Sequence, residues 1–258
     1  MKIAVILFPG TNCELETKQA LEACGMSADI FRWNLNPEKL EDYDGYVLPG
    51  GWSYEDRIRA GVIASKDSIM KKIKEEAKKG KAVLGICNGA QILVESGLIP
   101  GLKDEVEIAL APNNKGYLCT WVHIKNNGKN AFNAELKENE VIPLPIAHGE
   151  GRFVTQNKNL IDELIKKKQI VFSYCDEKGI IKEEYPINPN GATYNLAGIC
   201  NEEGNILAMM PHPERATWNR QLPGFEGKSF EENLSLAPAS KIFLSIKKYI
   251  EENKNARD

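Results

Sequence analysis

The stretch Val83 to Gln91 reads V-L-G-I-C-N-G-A-Q, and it constrains this chain more than any other segment. An apolar run stops at Cys87, which stands between Gly85 and Gly89, and the helix-like run Ala90-Gln91-Ile92-Leu93-Val94 follows at once. The pattern predicts a strand, a sharp turn and a helix, with the cysteine at the turn. The small residues on either side let the backbone bend tightly and push the thiol out to solvent. A cysteine at a helix N-terminus sits in the positive end of the helix dipole, which favours the thiolate. The segment therefore builds a nucleophile and activates it by geometry.

Around this elbow the chain reads as alternating strands and helices. Ile3 to Phe8, Ala28 to Trp33, Gly45 to Leu48 and Ala82 to Ile86 are strand-like. Cys13 to Gly25, Ser53 to Ala60 and Val62 to Lys79 look helical, the last closing on Lys78-Lys79-Gly80. Such alternation implies a parallel sheet with helices on both faces, whose active groups gather at the C-terminal ends of the strands. Pro49-Gly50-Gly51 and Cys87 both fall there. The middle differs: Tyr117 to Ile124, Val141 to Ala147, Ile170 to Cys175 and Tyr194 to Ile199 are strand-like runs with turns such as Asn127-Gly128 and Asn190-Gly191. They read as an added, partly antiparallel layer. Ile206 to Met210 is a further strand, Trp218 to Ala237 an irregular loop, and Ala239 to Asn253 a closing amphipathic helix. No linker or repeat divides residues 1–258, so one domain is expected.

Composition excludes several function classes. The 258 residues carry a net charge of -3, so no basic surface favours nucleic acid or an anionic membrane. Apolar stretches fall far short of the ~20 residues that span a bilayer. The first apolar run ends at Pro9-Gly10 without a small-residue cleavage site, which suits a first buried strand better than a signal segment. The six cysteines show no C-x-x-C spacing, so no metal site is expected and a reducing, cytoplasmic compartment fits. No G-x-x-x-x-G-K-[ST] occurs, so ATP chemistry would reside in another chain.

A cysteine nucleophile needs a base and a group that orients that base. Of three histidines, His212 lies just past a short apolar strand in M-M-P-H-P-E, its backbone restricted by Pro211 and Pro213. Glu214, two residues on, can face the same way and accept from the imidazole. The implied triad is Cys87, His212 and Glu214. Backbone N–H groups at the Pro49-Gly50-Gly51 turn and at Asn88 can serve a tetrahedral oxyanion. These groups suit acyl transfer from a carboxamide or an ester.

P-G-G at 49–51, G-I-C-N-G-A-Q at 85–91 and H-P-E at 212–214, in that order, resemble the class I (triad) glutamine amidotransferases. The fuller motifs P-G-G-W-S-Y-E-D (49–56), P-I-A-H-G-E-G-R (145–152), N-P-N-G (188–191) and M-M-P-H-P-E-R (209–215) are similar to those of the glutaminase subunits of phosphoribosylformylglycinamidine synthases. The resemblance runs to about Arg215. It implies a doubly wound, mostly parallel, flavodoxin-like α/β sheet with helices on both faces and the added antiparallel layer. It implies Gly51 and Asn88 as the oxyanion hole, Gln91 against the substrate glutamine, and Asn190 and Gly191 near the substrate's amino and carboxylate groups. It further implies a large synthetase subunit that uses ATP and Mg, a small bridging subunit, and no cofactor in this chain. Trp52 and Glu55 stand where the family's phenylalanine and glycine are expected, and the 218–237 segment is longer than usual.

Blander readings stand beside these. His148 and Arg152 are either turn residues or contacts to substrate or partner, and His123 is structural or exposed. Cys13, Cys24, Cys119, Cys175 and Cys200 are assigned to packing, Cys13 being the one near a strand end that could approach the site. The basic run Lys71 to Lys79 is a solvated helix face. Two other functions compete: a glutaminase serving a different synthetase, and a peptidase or stress protein of a related cysteine-elbow fold, which would not need the downstream H-P-E.

Overall fold

A computed structural model describes residues 1–103, 105–128, 130–227 and 229–255. The first half runs β1 (Lys2–Leu7), α1 (Glu14–Ala23), β2 (Ser27–Arg32), β3 (Gly45–Leu48), α2 (Ser68–Lys78), β4 (Ala82–Ile86) and α3 (Asn88–Glu95). It continues with β5 (Ala109–Ala111), β6 (Leu118–Asn126), β7 (Val141–His148), β8 (Arg152–Val154), α4 (Leu160–Lys166) and β9 (Ile170–Cys175). The chain then forms β10 (Leu196–Cys200), β11 (Ile206–Met209), α5 (Phe230–Leu234) and α6 (Ser240–Asn255).

One nine-stranded sheet has the order β2-β1-β3-β4-β11-β10-β9-β6-β7. Its first five strands are parallel neighbours, and the remaining four continue it antiparallel. The antiparallel addition expected from the middle of the chain thus extends the same sheet, with β5 and β8 forming a separate two-stranded ribbon. The central strand β4, Ala-Val-Leu-Gly-Ile, is buried at every residue, as a parallel strand covered on both faces must be. Helix α2 turns Ile69, Met70, Ile73 and Ala77 inward, and α6 does so with Ile242, Phe243, Ile246 and Ile250. Among the described residues no helix is long and apolar enough to cross a membrane.

The elbow depends on two close approaches. A Cβ on Gly85 would stand 2.6 Å from the Gly89 carbonyl oxygen, and one on Gly89 would overlap the Leu48 carbonyl of β3. Alanine is the better helix former by about 1 kcal/mol, yet the overlap is with backbone that cannot swing aside. We expect Gly89→Ala to destabilise the protein by about 2 kcal/mol or more, a fall in Tm of roughly 4–8 °C for a chain of this size. A thermal melt that stays in place or rises would contradict this packing.

Three local expectations are corrected. Ser53 to Ala60 is not a regular helix: the 3-10 turn Ser53–Asp56 carries left-handed φ values at Tyr54 (54°), Glu55 (60°) and Asp56 (51°), and Ile58 follows at 74°. Non-local bonds impose this shape. The Tyr54 N–H donates to Pro9 O at 2.6 Å, and the Ser53 N–H donates to Asn88 Oδ1 at 3.0 Å. Val62 to Lys79 is broken at Asp67, whose carboxylate accepts from the Ile69 N–H at 2.9 Å and starts α2 afresh. The 218–237 segment holds a 3-10 turn, Asn219–Gln221, and the short helix α5. The basic helix face is also less solvated than its sequence suggests. Lys72 and Glu76 are buried, and Glu76 takes Lys79 at 2.6 Å and Lys81 at 2.7 Å.

Candidate active site

The loops after β1, β3, β4 and β11 all open at the C-terminal edge of the parallel strands, and the chemistry-bearing residues meet there. Cys87 lies between β4 and α3 with φ 52° and ψ -107°, a conformation that a non-glycine residue holds only when its surroundings enforce it. Enforcement comes from both sides. The Cys87 N–H donates to Met209 O of β11 at 2.9 Å, and the Cys87 carbonyl accepts from the Gln91 N–H at 3.1 Å. The expected solvent-exposed thiol is corrected: the side chain is 5% exposed, with Sγ 3.7 Å from Ala147 O at the end of β7, and it faces a cavity, not open solvent. The first N–H groups of α3 lack intrahelical partners and lie beside this sulfur.

The same link between β4 and β11 delivers the imidazole. His212 follows β11, and its backbone N–H donates to Pro145 O at 2.9 Å. His212 Nδ1 and Glu214 Oε1 are 2.5 Å apart, and both side chains are fully sheltered from solvent. His212 Nε2 is buried without a hydrogen-bond partner, and it shares the cavity wall with Cys13 and Cys87. Burial alone would strip the imidazole of its proton. The Glu214 carboxylate and the Cys87 thiolate outweigh it and hold the His212 pKa well above its ordinary value.

Gly50 fixes the spacing of these groups. A Cβ there would lie 2.8 Å from His212 Cε1, 3.1 Å from Cys13 Sγ and 3.4 Å from Cys87 Cβ. Cys13 is therefore part of the site and not simple packing. Its Sγ accepts from the Arg215 guanidinium at 3.1 Å, and burial pushes its thiol pKa upward. Ligand atoms of Cys13, His212 and Glu214 lie within 4.8 Å of one another, the one such trio of metal-capable side chains among the described residues.

The other sequence-derived residues divide into two groups. Gly51, Gln91 and His148 line a cavity of about 210 Å³ beside Cys87. Gly51 has φ 147°, and a side chain there would sit 2.7 Å from Gly10 O. Asn88 is buried, its Oδ1 occupied by the Ser53 N–H and its Nδ2 donating to Asp56 Oδ1 at 3.0 Å and Gln91 Oε1 at 2.9 Å. Asn190, Gly191 and Arg152 are not on the cavity wall. The Asn190 amide donates to Gly151 O at 2.8 Å and accepts from the Ala192 N–H at 3.1 Å, while Arg152 donates to Pro112 O at 3.0 Å. Gly191, with φ 82°, packs against Asn114 where no side chain would fit. Asn190 thus supports the Gly149–Gly151 turn through Gly151.

His148 takes a defined protonation state. Asn113 Oδ1 accepts from the Gly151 N–H at 3.0 Å, and its Nδ2 donates to Gly116 O at 3.0 Å and to His148 O at 2.8 Å, with His148 Nδ1 3.1 Å away. His148 Nε2 is buried and has no partner. Burial, followed by the charge of His212, pushes the His148 pKa down to about 3, so the ring is neutral near pH 7.

Sequence reasoning passed over Asp56, Glu150 and Tyr117, which also line the cavity. Asp56 and Glu150 lie within the quoted P-G-G-W-S-Y-E-D and P-I-A-H-G-E-G-R motifs, which is the signal that could have marked them. The assembled site offers a thiol on a strained elbow, a buried imidazole–carboxylate pair and helix N–H donors. That set can run acyl transfer through a covalent thioester.

Comparison with known proteins agrees with this chemistry. A family model described as a CobB/CobQ-like glutamine amidotransferase domain matches residues 1–250. The chain is 48% identical to a phosphoribosylformylglycinamidine synthase subunit PurQ of Methanothrix thermoacetophila, over 99% of this chain and 100% of that protein. It is 47% identical to the protein of the same name from Pyrococcus furiosus, over 84% of this chain and 90% of that one. Among solved structures, a chain in the structure of PurLQS from Thermotoga maritima superposes with a TM-score of 0.75 at 33% identity, covering 96% of this chain and 98% of that one.

Proposed function

Since the chain belongs to the CobB/CobQ-like glutamine amidotransferase family, we propose that it is the glutaminase subunit of a phosphoribosylformylglycinamidine synthase. It hydrolyses glutamine and passes ammonia to a synthetase subunit in de novo purine biosynthesis. Residues 1–258 act as one amidotransferase domain. ATP and Mg serve the synthetase subunit, which converts formylglycinamide ribonucleotide to formylglycinamidine ribonucleotide, and a small bridging subunit joins the two. The reading draws its support from near-full-length identity to proteins of that name and from the likeness to a PurLQS chain.

The observation that carries the chemistry is the buried His212–Glu214 pair with a free Nε2 beside the Cys87 elbow. In the proposed reaction the Cys87 thiolate attacks the side-chain carboxamide carbon of glutamine. The negative charge on the carbonyl oxygen is met by backbone N–H groups of Gly51 and Asn88. The tetrahedral adduct collapses as His212 gives its Nε2 proton to the departing nitrogen, releasing ammonia and leaving a γ-glutamyl thioester. His212, now neutral, takes a proton from water, which attacks the thioester. Collapse of the second adduct frees glutamate and restores the thiolate and imidazolium. Glu214 holds the ring in the tautomer that presents Nε2 and stabilises its charge.

A diazoketone analogue of glutamine should label Cys87 alone among the six cysteines, and excess glutamine should suppress the label. Mass spectrometry of the digested protein reads the outcome. Labelling spread over several cysteines, or labelling unaffected by glutamine, would argue for a different cysteine-elbow enzyme.

A further inference from the structure

The turn that follows Gly51 is strained. Tyr54, Glu55, Asp56 and Ile58 all have left-handed φ values, which such side chains hold only when their surroundings impose them. The oxyanion role given above to the Gly51 N–H depends on where this turn sits. One side of it is fixed by the loop after β1. The Trp52 N–H donates to Gly10 O at 2.9 Å, and the Tyr54 N–H donates to Pro9 O at 2.6 Å.

The other side is held by the side chain of Asn88, which is 1% exposed and opens α3 next to Cys87. Its Oδ1 accepts from the Ser53 N–H at 3.0 Å, and its Nδ2 donates to Asp56 Oδ1 at 3.0 Å and to Gln91 Oε1 at 2.9 Å. Gln91 Nε2 in turn donates to Glu150 O at 2.6 Å. One amide therefore spans the 3-10 turn from its first residue to its last, and through Gln91 it reaches the loop after β7. Filling this space does not require an amide. Leucine, close to asparagine in shape, would occupy it and leave the Ser53 N–H and the Asp56 carboxylate without these bonds.

We propose that the Asn88 side chain is a positioning residue for acyl transfer: it clips the 53–56 turn to the nucleophile helix and so keeps the Gly51 and Asn88 N–H groups aimed at one point beside the Cys87 sulfur. The inference rests on the glutaminase reading above and gives Asn88 two duties. Its backbone N–H meets the oxyanion, and its side chain sets where the other donor lies. Alignment matters because a hydrogen bond weakens steeply as its angle closes. Gly51, with φ 147° and no Cβ, is the residue through which an unclipped turn can swing.

The test uses the full chain assembled with its synthetase partner and compares two reactions of the same thiolate. Glutamine hydrolysis builds an oxyanion. Alkylation of Cys87 by iodoacetamide forms an S–C bond, expels iodide and builds none. For Asn88→Leu we expect kcat with glutamine to fall about 10- to 100-fold, short of the roughly 10²–10³-fold that follows outright loss of an oxyanion donor. KM should stay within about threefold. The Cys87 alkylation rate across pH, read by mass spectrometry of the digested protein, should stay within about twofold, because the thiolate and His212 are untouched. A parallel fall in alkylation would mean that Asn88 supports the elbow as a whole and would overturn the proposal, as would a kcat within about twofold of the unaltered protein. Asn88→Asp sets a second carboxylate against Asp56 and should lower kcat about 100-fold or more. Adding Asp56→Asn again pairs one donor with one carboxylate and should recover about tenfold or more. This pair of variants carries the test if Asn88→Leu does not fold, and absence of recovery would break the contact on which the clip depends. Failure of the unaltered protein to hydrolyse glutamine would instead strike the glutaminase reading itself.

Discussion

Cys87→Ala should abolish glutamine-dependent product formation while leaving ammonia-dependent formation intact in the assembled synthase. The expected loss of glutamine hydrolysis is at least about 10⁴-fold, the scale on which removal of a covalent nucleophile acts. The variant should fold normally. Its backbone must hold the same φ of 52°, but alanine keeps the Cβ that cysteine already places there, so the elbow meets no new strain. The bond from the residue-87 N–H to Met209 O is a backbone bond and survives. What disappears is the sulfur, and with it the thioester. Free ammonia bypasses that intermediate and enters the partner's chemistry directly. Measuring synthesis with each nitrogen source separates the outcomes: equal loss with both would show that Cys87 supports the complex and does not form a covalent bond.

The reach of the sequence differs from one part of this site to another, for physical reasons. The elbow was readable because its causes are local. An apolar strand, two glycines and a helix-forming run are contiguous, and the glycines are needed where Gly85 and Gly89 let α3 lie against β3 and β4. His212 and Glu214 were readable because they stand only two residues apart, although a 3-10 turn, Pro213–Ala216, and not extended chain brings the carboxylate to the ring. The Ser53–Ala60 turn was not. Its residues are compatible with a helix, and the left-handed run Tyr54–Asp56 exists because Pro9 and Asn88, far away in the chain, claim the Tyr54 and Ser53 N–H groups. Cys13 was hidden for the same reason. The N–H groups of Asn12 and Cys13 both bond Gly50 O at 3.2 Å, and only that tertiary contact brings the thiol to His212. The N-P-N-G motif was legible, but the bond from the Asn190 amide to Gly151 O is a tertiary contact that the motif alone does not reveal.

Glu214→Gln is the second substitution from which a large effect is expected, and its signature lies in pH. The carboxylate is fully buried 2.5 Å from His212 Nδ1 and is the strongest influence keeping the ring charged against burial. Glutamine in its place can still accept a hydrogen bond but brings no charge. Burial then dominates, the imidazolium becomes less stable, and the proton for the departing nitrogen is harder to supply. We expect kcat to fall by about 10²–10⁴-fold, as when the orienting acid of a triad is neutralised. The alkaline limb of the rate profile reports His212 losing its proton, so it should move to lower pH in the variant. Stability carries the same sign. His212 has a folded pKa raised above its unfolded value, so its charged form stabilises the fold fully below about pH 6.5 and loses that effect as pH rises through the folded value. The Tm gap between the unaltered protein and Glu214→Gln should therefore be widest on the acid side of neutrality and narrow on raising the pH. A gap independent of pH, with an unmoved alkaline limb, would show that the carboxylate does not hold the imidazole's proton, and the triad assignment would fail with it.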